Sequence, residues 1–231
     1  MVKRSSFDSR GRRPLHLFLT LLCLLLIGIV LGGCSRSVDL TEYVSEYRNN
    51  LFVYQGESFS VKAQNVEKEH PYVADGYKGE ITHRAELYIA APPKTQNCKI
   101  FFIADGIEHS GEASYDNVKK QFYYSCAADL SNTETLPLRL TFDESEQEIT
   151  LASVKTHDLM ELKELLNTLQ QAEPELLKTL THDNEFAGEL YVRLLYEDAP
   201  YYYVGVVDRS GNITAVLMDG KTGKILAKRT V

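Results

Sequence analysis

Between Leu51 and Leu151 apolar residues recur at every second position, and this alternation constrains the fold more than any other property of the chain. Phe59, Val61 and Ala63 form one set, Ala85, Leu87 and Ile89 a second, and Cys98, Ile100, Phe102 and Ala104 a third. Phe122, Tyr124, Cys126 and Ala128 form a fourth. Leu136, Leu138, Leu140 and Phe142 alternate with Pro137, Arg139 and Thr141, and Ile149 and Leu151 begin another set. Successive side chains of a strand point to opposite faces, so a period of two puts each set on one buried face. Asp75-Gly76 and Asp105-Gly106 are turn dipeptides within the run. Five to seven strands with turns between them predict a β-sandwich over residues 51–155.

The architecture of that sandwich resembles an immunoglobulin-like domain, although the chain has no Trp and its cysteine spacing is short. Residues 34–50 precede it as a linker and a short helix. Asp39-Leu40-Thr41-Glu42 is similar to a capping box with Asp in place of Ser or Thr, and Leu40, Tyr43, Val44 and Tyr47 follow helical spacing.

The pattern changes at Thr156. Leu159, Leu162, Leu165, Leu166 and Leu169 share one helical stripe, and Pro174 suits the first turn of a second short helix carrying Leu176, Leu177 and Leu180. Alternation then returns in Leu190, Val192 and Leu194, in Tyr201–Asp208, in Ile213–Met218 and in Lys224–Lys228. A helix followed by an antiparallel meander is an α+β unit. Tyr203-Val204-Gly205-Val206-Val207-Asp208, Gly211-Asn212-Ile213-Thr214-Ala215-Val216 and Asp219-Gly220-Lys221-Thr222-Gly223-Lys224-Ile225-Leu226 resemble the end of a PepSY-type domain. That resemblance implies a small helix-plus-antiparallel-sheet domain over residues 156–231 that binds or inhibits a peptidase, with no catalytic residues to carry over. The expected fold class is thus mainly β plus α+β, in two domains.

Ahead of these segments stand Lys3, Arg4, Arg10, Arg12 and Arg13, an apolar run from Leu15 to Val30, and Leu31-Gly32-Gly33-Cys34. A basic start, an apolar core and a small-residue exit define a secretory signal. With cysteine directly after Gly32-Gly33, residues 1–33 resemble a bacterial lipoprotein signal peptide with its lipobox. The resemblance implies cleavage between Gly33 and Cys34 and acylation of Cys34. The expected location is extracytoplasmic, lipid-anchored to the outer face of the cell membrane, or alternatively to the outer membrane. Two acyl chains suffice for stable anchoring. Ser35 to Asp39 extends only about 17 Å at most, so the body would sit near the bilayer.

Residues 1–33 hold five Lys/Arg and one acidic residue of the chain's 25 and 32. The remaining 198 residues therefore carry 20 basic and 31 acidic side chains, a net charge of −11. Such a body is unsuited to nucleic acid, which demands basic patches, and to electrostatic docking on anionic lipid. Cys98 and Cys126 are the cysteines outside the leader and the lipidation position. In an exported protein they form a candidate disulfide, the alternative being two buried free thiols.

No spacing of catalytic or metal-ligating residues stands out, and no cofactor is implied. Gly220-Lys221-Thr222 resembles the end of a phosphate-binding loop, but Ala215 stands where the required glycine would be. The histidines are scattered, and Asp143-Glu144-Ser145-Glu146-Gln147-Glu148 lacks the alternation and glycine of a calcium loop. In a strand Tyr201 and Tyr203 share one face and Tyr202 the other, so these three form a candidate binding surface beside the alternative of sheet packing.

Three functional readings follow. The first is a non-enzymatic lipoprotein that binds or regulates another envelope protein. The second is a PepSY-type peptidase inhibitor, and the third is an envelope hydrolase whose site only the fold assembles. Capture of a small solute by a two-lobed body would need more than 198 residues. The anchor has its own test: Cys34→Ala abolishes metabolic labelling by fatty acid and moves the protein from the membrane pellet to the soluble fraction. Unchanged labelling would remove the lipobox assignment.

Overall fold

The computed structural model describes residues 38–183 and 185–230. The leader expected over 1–33 and the cleavage and lipidation positions expected at Gly33 and Cys34 lie outside the described residues. Fifteen strands follow a short 3-10 turn at Leu40–Tyr43: β1 (Val44–Gln55), β2 (Ser60–Glu69), β3 (Ile81–Ala90), β4 (Cys98–Ala104), β5 (Ile107–Glu112), β6 (Ser114–Asp116), β7 (Gln121–Cys126), β8 (Thr135–Phe142) and β9 (Ser145–Ala152). After helices α1 (Leu162–Ala172) and α2 (Pro174–Lys178) come β10 (Thr181–His182), β11 (Glu185–Phe186), β12 (Glu189–Tyr196), β13 (Pro200–Val207), β14 (Ile213–Asp219) and β15 (Ile225–Thr230).

Nine of these strands form one mixed sheet in the order β15-β14-β13-β12-β1-β2-β3-β7-β6. A second sheet, β5-β4-β8-β9, covers part of it. This corrects the expected fold class. The immunoglobulin-like sandwich and the meander are not a β-sandwich followed by a separate PepSY-like α+β domain, because one sheet runs through both. The joint is β1, which pairs antiparallel with β2 and parallel with β12, from Val44↔Leu190 to Arg48↔Arg193. Alternation marks most of the longer strands in the sequence, but nothing in it marks which edges meet across so long an interval.

β1 also replaces the helix expected over residues 40–49. Asp39 does cap a turn, its carboxylate accepting from Thr41 N at 3.1 Å, but the turn ends at Tyr43. The strand then carries a register shift against β2 between Tyr47 and Asn50. One extra residue at such a bulge resets the alternation; a further shift, against β12 between Val44 and Glu46, follows directly on the turn, which is why the spacing of Leu40, Tyr43, Val44 and Tyr47 imitates a helix.

Two buried clusters flank this strand. In one, Phe52, Val61, Ala63, Leu87 and Ile89 of the large sheet meet Ile100, Phe102, Leu138 and Leu140 of the small one. In the other, Leu165, Leu166 and Leu169 of α1 join Val192, Leu194, Val204 and Val216. The register places both clusters on the same side of the large sheet, because Val192 lies beside Tyr47, Tyr47 beside Glu67, and Glu67 is two residues from Asn65. The opposite face is left uncovered by either layer.

A buried polar seam joins the clusters at the bulge. Asn50 Nδ2 donates to Leu130 O at 2.7 Å and Thr133 O at 2.9 Å. Its Oδ1 accepts from Leu51 N at 2.9 Å and Ser153 Oγ at 2.6 Å. Asn65 Oδ1 accepts from Leu130 N at 2.8 Å, and its Nδ2 donates to Asn49 Oδ1 at 2.9 Å. Buried amides are tolerated when their partners are supplied in this way. Asn50→Ala strands two buried carbonyls and frees the segment after β9, so the free energy of unfolding in urea should fall by roughly 2–4 kcal/mol. A change below about 0.5 kcal/mol, the range of ordinary surface substitutions, would show that the seam does not hold the halves together.

Candidate functional site

The open face of the large sheet is polar where β1 and β12 part. Their pairing ends at Arg48↔Arg193. Beyond it β1 takes Ser153 as its neighbour, through a bridge to Phe52, while β12 runs on to Tyr196. The gap is a cleft of about 510 Å³, within the range of small-molecule sites. Leu51 and Val53 of β1 and Leu195 and Tyr196 of β12 form its sides. Lys62 and Gln64 of β2, Tyr88 of β3, and Lys119 between β6 and β7 also line it, with Arg48 and Arg193 at the vertex.

Both arginines are held by carboxylates. Arg48 Nε donates to Glu46 Oε1 at 2.8 Å and its Nη1 to Glu86 Oε2 at 2.8 Å. Arg193 Nε shares Glu46 Oε1, also at 2.8 Å. Glu86 further accepts from Gln64 Nε2 at 2.9 Å and the Tyr88 hydroxyl at 2.7 Å. Burial alone would raise both carboxyls; the Arg48 hydrogen bond and the charges of Arg48 and Arg193 outweigh it at Glu46. At Glu86 the Tyr88 hydroxyl, the Arg48 charge and Gln64 do the same, so both carboxyls are lowered from their ordinary value. Burial, and then Glu86, push the Tyr88 phenol up to about 12, which keeps it a donor.

The lysines differ. Among the described residues, Lys62 has no carboxylate within ion-pairing distance and no hydrogen bond from its amine. It is half-buried. Burial first, then the charges of Arg48, Arg193 and Lys119, lower its pKa against the opposing pull of Glu86. Lys119 is exposed and lies 5.7 Å from the centre of the Tyr88 ring. Four cations against two carboxylates leave the cleft electropositive on a body of the opposite sign.

The sequence-derived candidates fall elsewhere or at the margin. Tyr202 is buried in the core, its hydroxyl donating to Met160 O at 3.0 Å. Tyr201 and Tyr203 are half-buried on the open side of β13, and the Arg193 guanidinium lies 5.5 Å from the Tyr203 ring centre. Cys98 and Cys126 are free thiols and no disulfide joins them. Cys98 pairs with Phe142, which packs on Phe59 near the Ile89 end of the sandwich. Cys126 pairs with Ala85, four residues along β3 from Ile89 and thus about 13 Å away. Burial pushes the Cys98 thiol up to about 12 and raises Cys126 as well, so neither is a ready nucleophile.

The acidic run after Phe142 is the β8–β9 hairpin. Gly220-Lys221-Thr222 is a turn in which Asp219 Oδ1 accepts from Lys221 N at 3.1 Å and Thr222 N at 2.8 Å. The fold also brings His83, His109, Asp105 and Asp129 to one pocket at the sandwich end. Its lining contains no hydroxyl or thiol side chain, and no group of three or more His, Cys, Asp or Glu among the described residues is placed to hold a metal ion.

Sequence reasoning missed the cleft because it followed the inward phase of each strand. The signal was present on the outward phase, where Lys62 and Gln64 alternate with Val61, Ala63 and Asn65, and Glu86 and Tyr88 with Ala85, Leu87 and Ile89. No protein-family model, no curated protein and no solved structure matches this chain. Among the described residues no helix is long and apolar enough to cross a membrane.

A lysine whose folded-state pKa is lowered opposes folding while it is charged, and that opposition fades as pH rises from the lowered value to the ordinary one near 10.4. Lys62→Met should therefore raise the urea midpoint at pH 7, and the advantage over the parent should shrink by pH 9.5. A midpoint that drops at pH 7 would mean that the amine has a stabilising partner.

Proposed function

We propose that the protein is a non-catalytic extracytoplasmic lipoprotein that binds an anionic envelope ligand in the cleft between β1 and β12. The observation that carries this reading is the cleft itself: a cation-rich groove with tyrosine and aliphatic sides on a body whose net charge is −11. A cation left without a partner in a half-buried site lowers stability, and such sites are kept where they serve a ligand. The tether supports the same reading. Cys34 stands directly after Gly32-Gly33, and acylation there would hold the groove near the membrane without a surface-charge attraction to lipid.

Binding of fluorescent dextran sulfate to the full-length protein tests the groove. The expected result is saturable binding that weakens steeply with salt and falls about tenfold or more in a Lys62→Glu, Lys119→Glu double variant. Lys99→Glu, which changes an exposed lysine paired with Glu112 outside the cleft, should leave binding nearly unchanged. Equal losses in both variants would reduce the effect to net charge and contradict the proposal.

A further inference from the structure

Within that reading, on which this inference rests, the arrangement of the four cations narrows the ligand's chemistry. Planar guanidinium forks match carboxylates and phosphates alike, whereas an ammonium acts as a compact point charge that favours the anion of highest charge density. In this cleft the guanidinium charges are already balanced by Glu46 and Glu86. Arg48 spends Nε and Nη1 on Glu46 and Glu86, and Arg193 spends Nε on Glu46 while its guanidinium lies 5.8 Å from the Tyr191 ring centre and 5.5 Å from that of Tyr203. The charges left for a ligand are the two ammonium groups of Lys62 and Lys119.

Two uncommitted positive charges are matched by one dianion or by two monoanions. A phosphate monoester carries about −1.5 to −2 at pH 7 on three acceptor oxygens of one tetrahedral group. A carboxylate or a phosphodiester supplies a single charge and leaves one lysine uncompensated. Lys62 lies opposite Tyr88 across β2 and β3, and the Lys119 amine is 5.7 Å from the Tyr88 ring centre, so both lysines border one ring and a single group beside it relieves their mutual repulsion. Beside the lysines, Tyr88 and Tyr196 with Val53 and Leu195 provide apolar and aromatic surface for the carbon part of such a ligand. Tyrosine faces suit a sugar ring, apolar on its C–H side and hydroxylated at its rim.

We propose that the cleft is a binding site for a soluble sugar phosphate monoester, with Lys62 and Lys119 on the phosphate and Tyr88 and Tyr196 against the sugar. Lys62 supplies the fixed, half-buried charge at the floor. Lys119, exposed and on a turn, closes over the phosphate from the rim. Arg48, Glu46 and Glu86 hold the Gln64 and Tyr88 side chains in place around it.

Isothermal titration calorimetry of the full-length protein separates the outcomes, with glucose 6-phosphate, inorganic phosphate, glucuronate, and vesicles of phosphatidylglycerol in phosphatidylcholine as probes. Glucose 6-phosphate should bind at least about tenfold more tightly than glucuronate, with inorganic phosphate between them. Lys62→Met should weaken glucose 6-phosphate about tenfold or more, and Lys62→Arg should restore much of that affinity. Both variants are checked by urea denaturation, so a loss of binding is not mistaken for a loss of fold. Glucuronate binding as tightly as glucose 6-phosphate would overturn the phosphate assignment while leaving an anion-binding groove. Binding to the vesicles alone would reassign the site to a lipid headgroup. Silence with every probe, dextran sulfate included, would remove the groove as a binding site altogether.

Discussion

Strand β1 is the constraint on which the rest of the structure depends. It alone pairs with both β2 and β12, so it turns two runs of strands into one sheet. At its bulge the side chain of Asn50, with Asn65 from β2, satisfies backbone groups of Leu130 and Thr133, Asn49 accepts from Asn65, and Ser153 satisfies Asn50 in return. The chain between β9 and α1 is fixed at the same place, where Val154 N donates to Leu51 O at 2.8 Å. Apolar side chains could fill that volume, but they could not determine where three chain segments stop relative to one another. Directional hydrogen bonds do, and burial makes each missing one expensive.

The divergence that follows the bulge also creates the cleft. A parallel pair that continued in register past Arg48 and Arg193 would bring Leu51 beside Tyr196 at the end of β12 and close the gap. Because β1 turns to Ser153 instead, the open face gains a groove at the centre of the sheet, held by ladders on both sides. The ion network at its vertex is partly buried, with Arg48, Glu46 and Glu86 side chains 12–18 % exposed. It orients groups rather than adding much stability, as is usual for buried pairs whose desolvation opposes their attraction.

Much of the local structure was legible in the residues. Leu136 to Phe142 alternate as β8 does, the leucine stripe from Leu162 is α1, Pro174 opens α2, and Asp105-Gly106 forms the β4–β5 turn with both residues at positive φ, 49° and 75°. Tyr201, Tyr202 and Tyr203 alternate as strand geometry demands, with Tyr202 inside and Tyr203 beside Arg193. The bulge at Asn49–Asn50 was not legible, since it erases the period of two where the fold most depends on it. Nor was the single sheet: the pairing of Val44 with Leu190 is a matter of shape complementarity between distant edges. The cleft shared that fate. Lys62, Glu86, Tyr88 and Arg193 each look like a solvated strand position, and only cross-strand register makes them neighbours.

The central claim is that one sheet, joined at β1, unites residues on both sides of the 153–155 segment into a single cooperative structure. Native-state amide hydrogen exchange across a urea series tests it most directly. The amides of Ala63 and Leu87, in the half covered by the second sheet, should converge on the same opening free energy as those of Val192 and Val204, in the half covered by α1. Two separate plateaus, with the β12–β15 amides exchanging through an opening that leaves β2 and β3 protected, would contradict the claim.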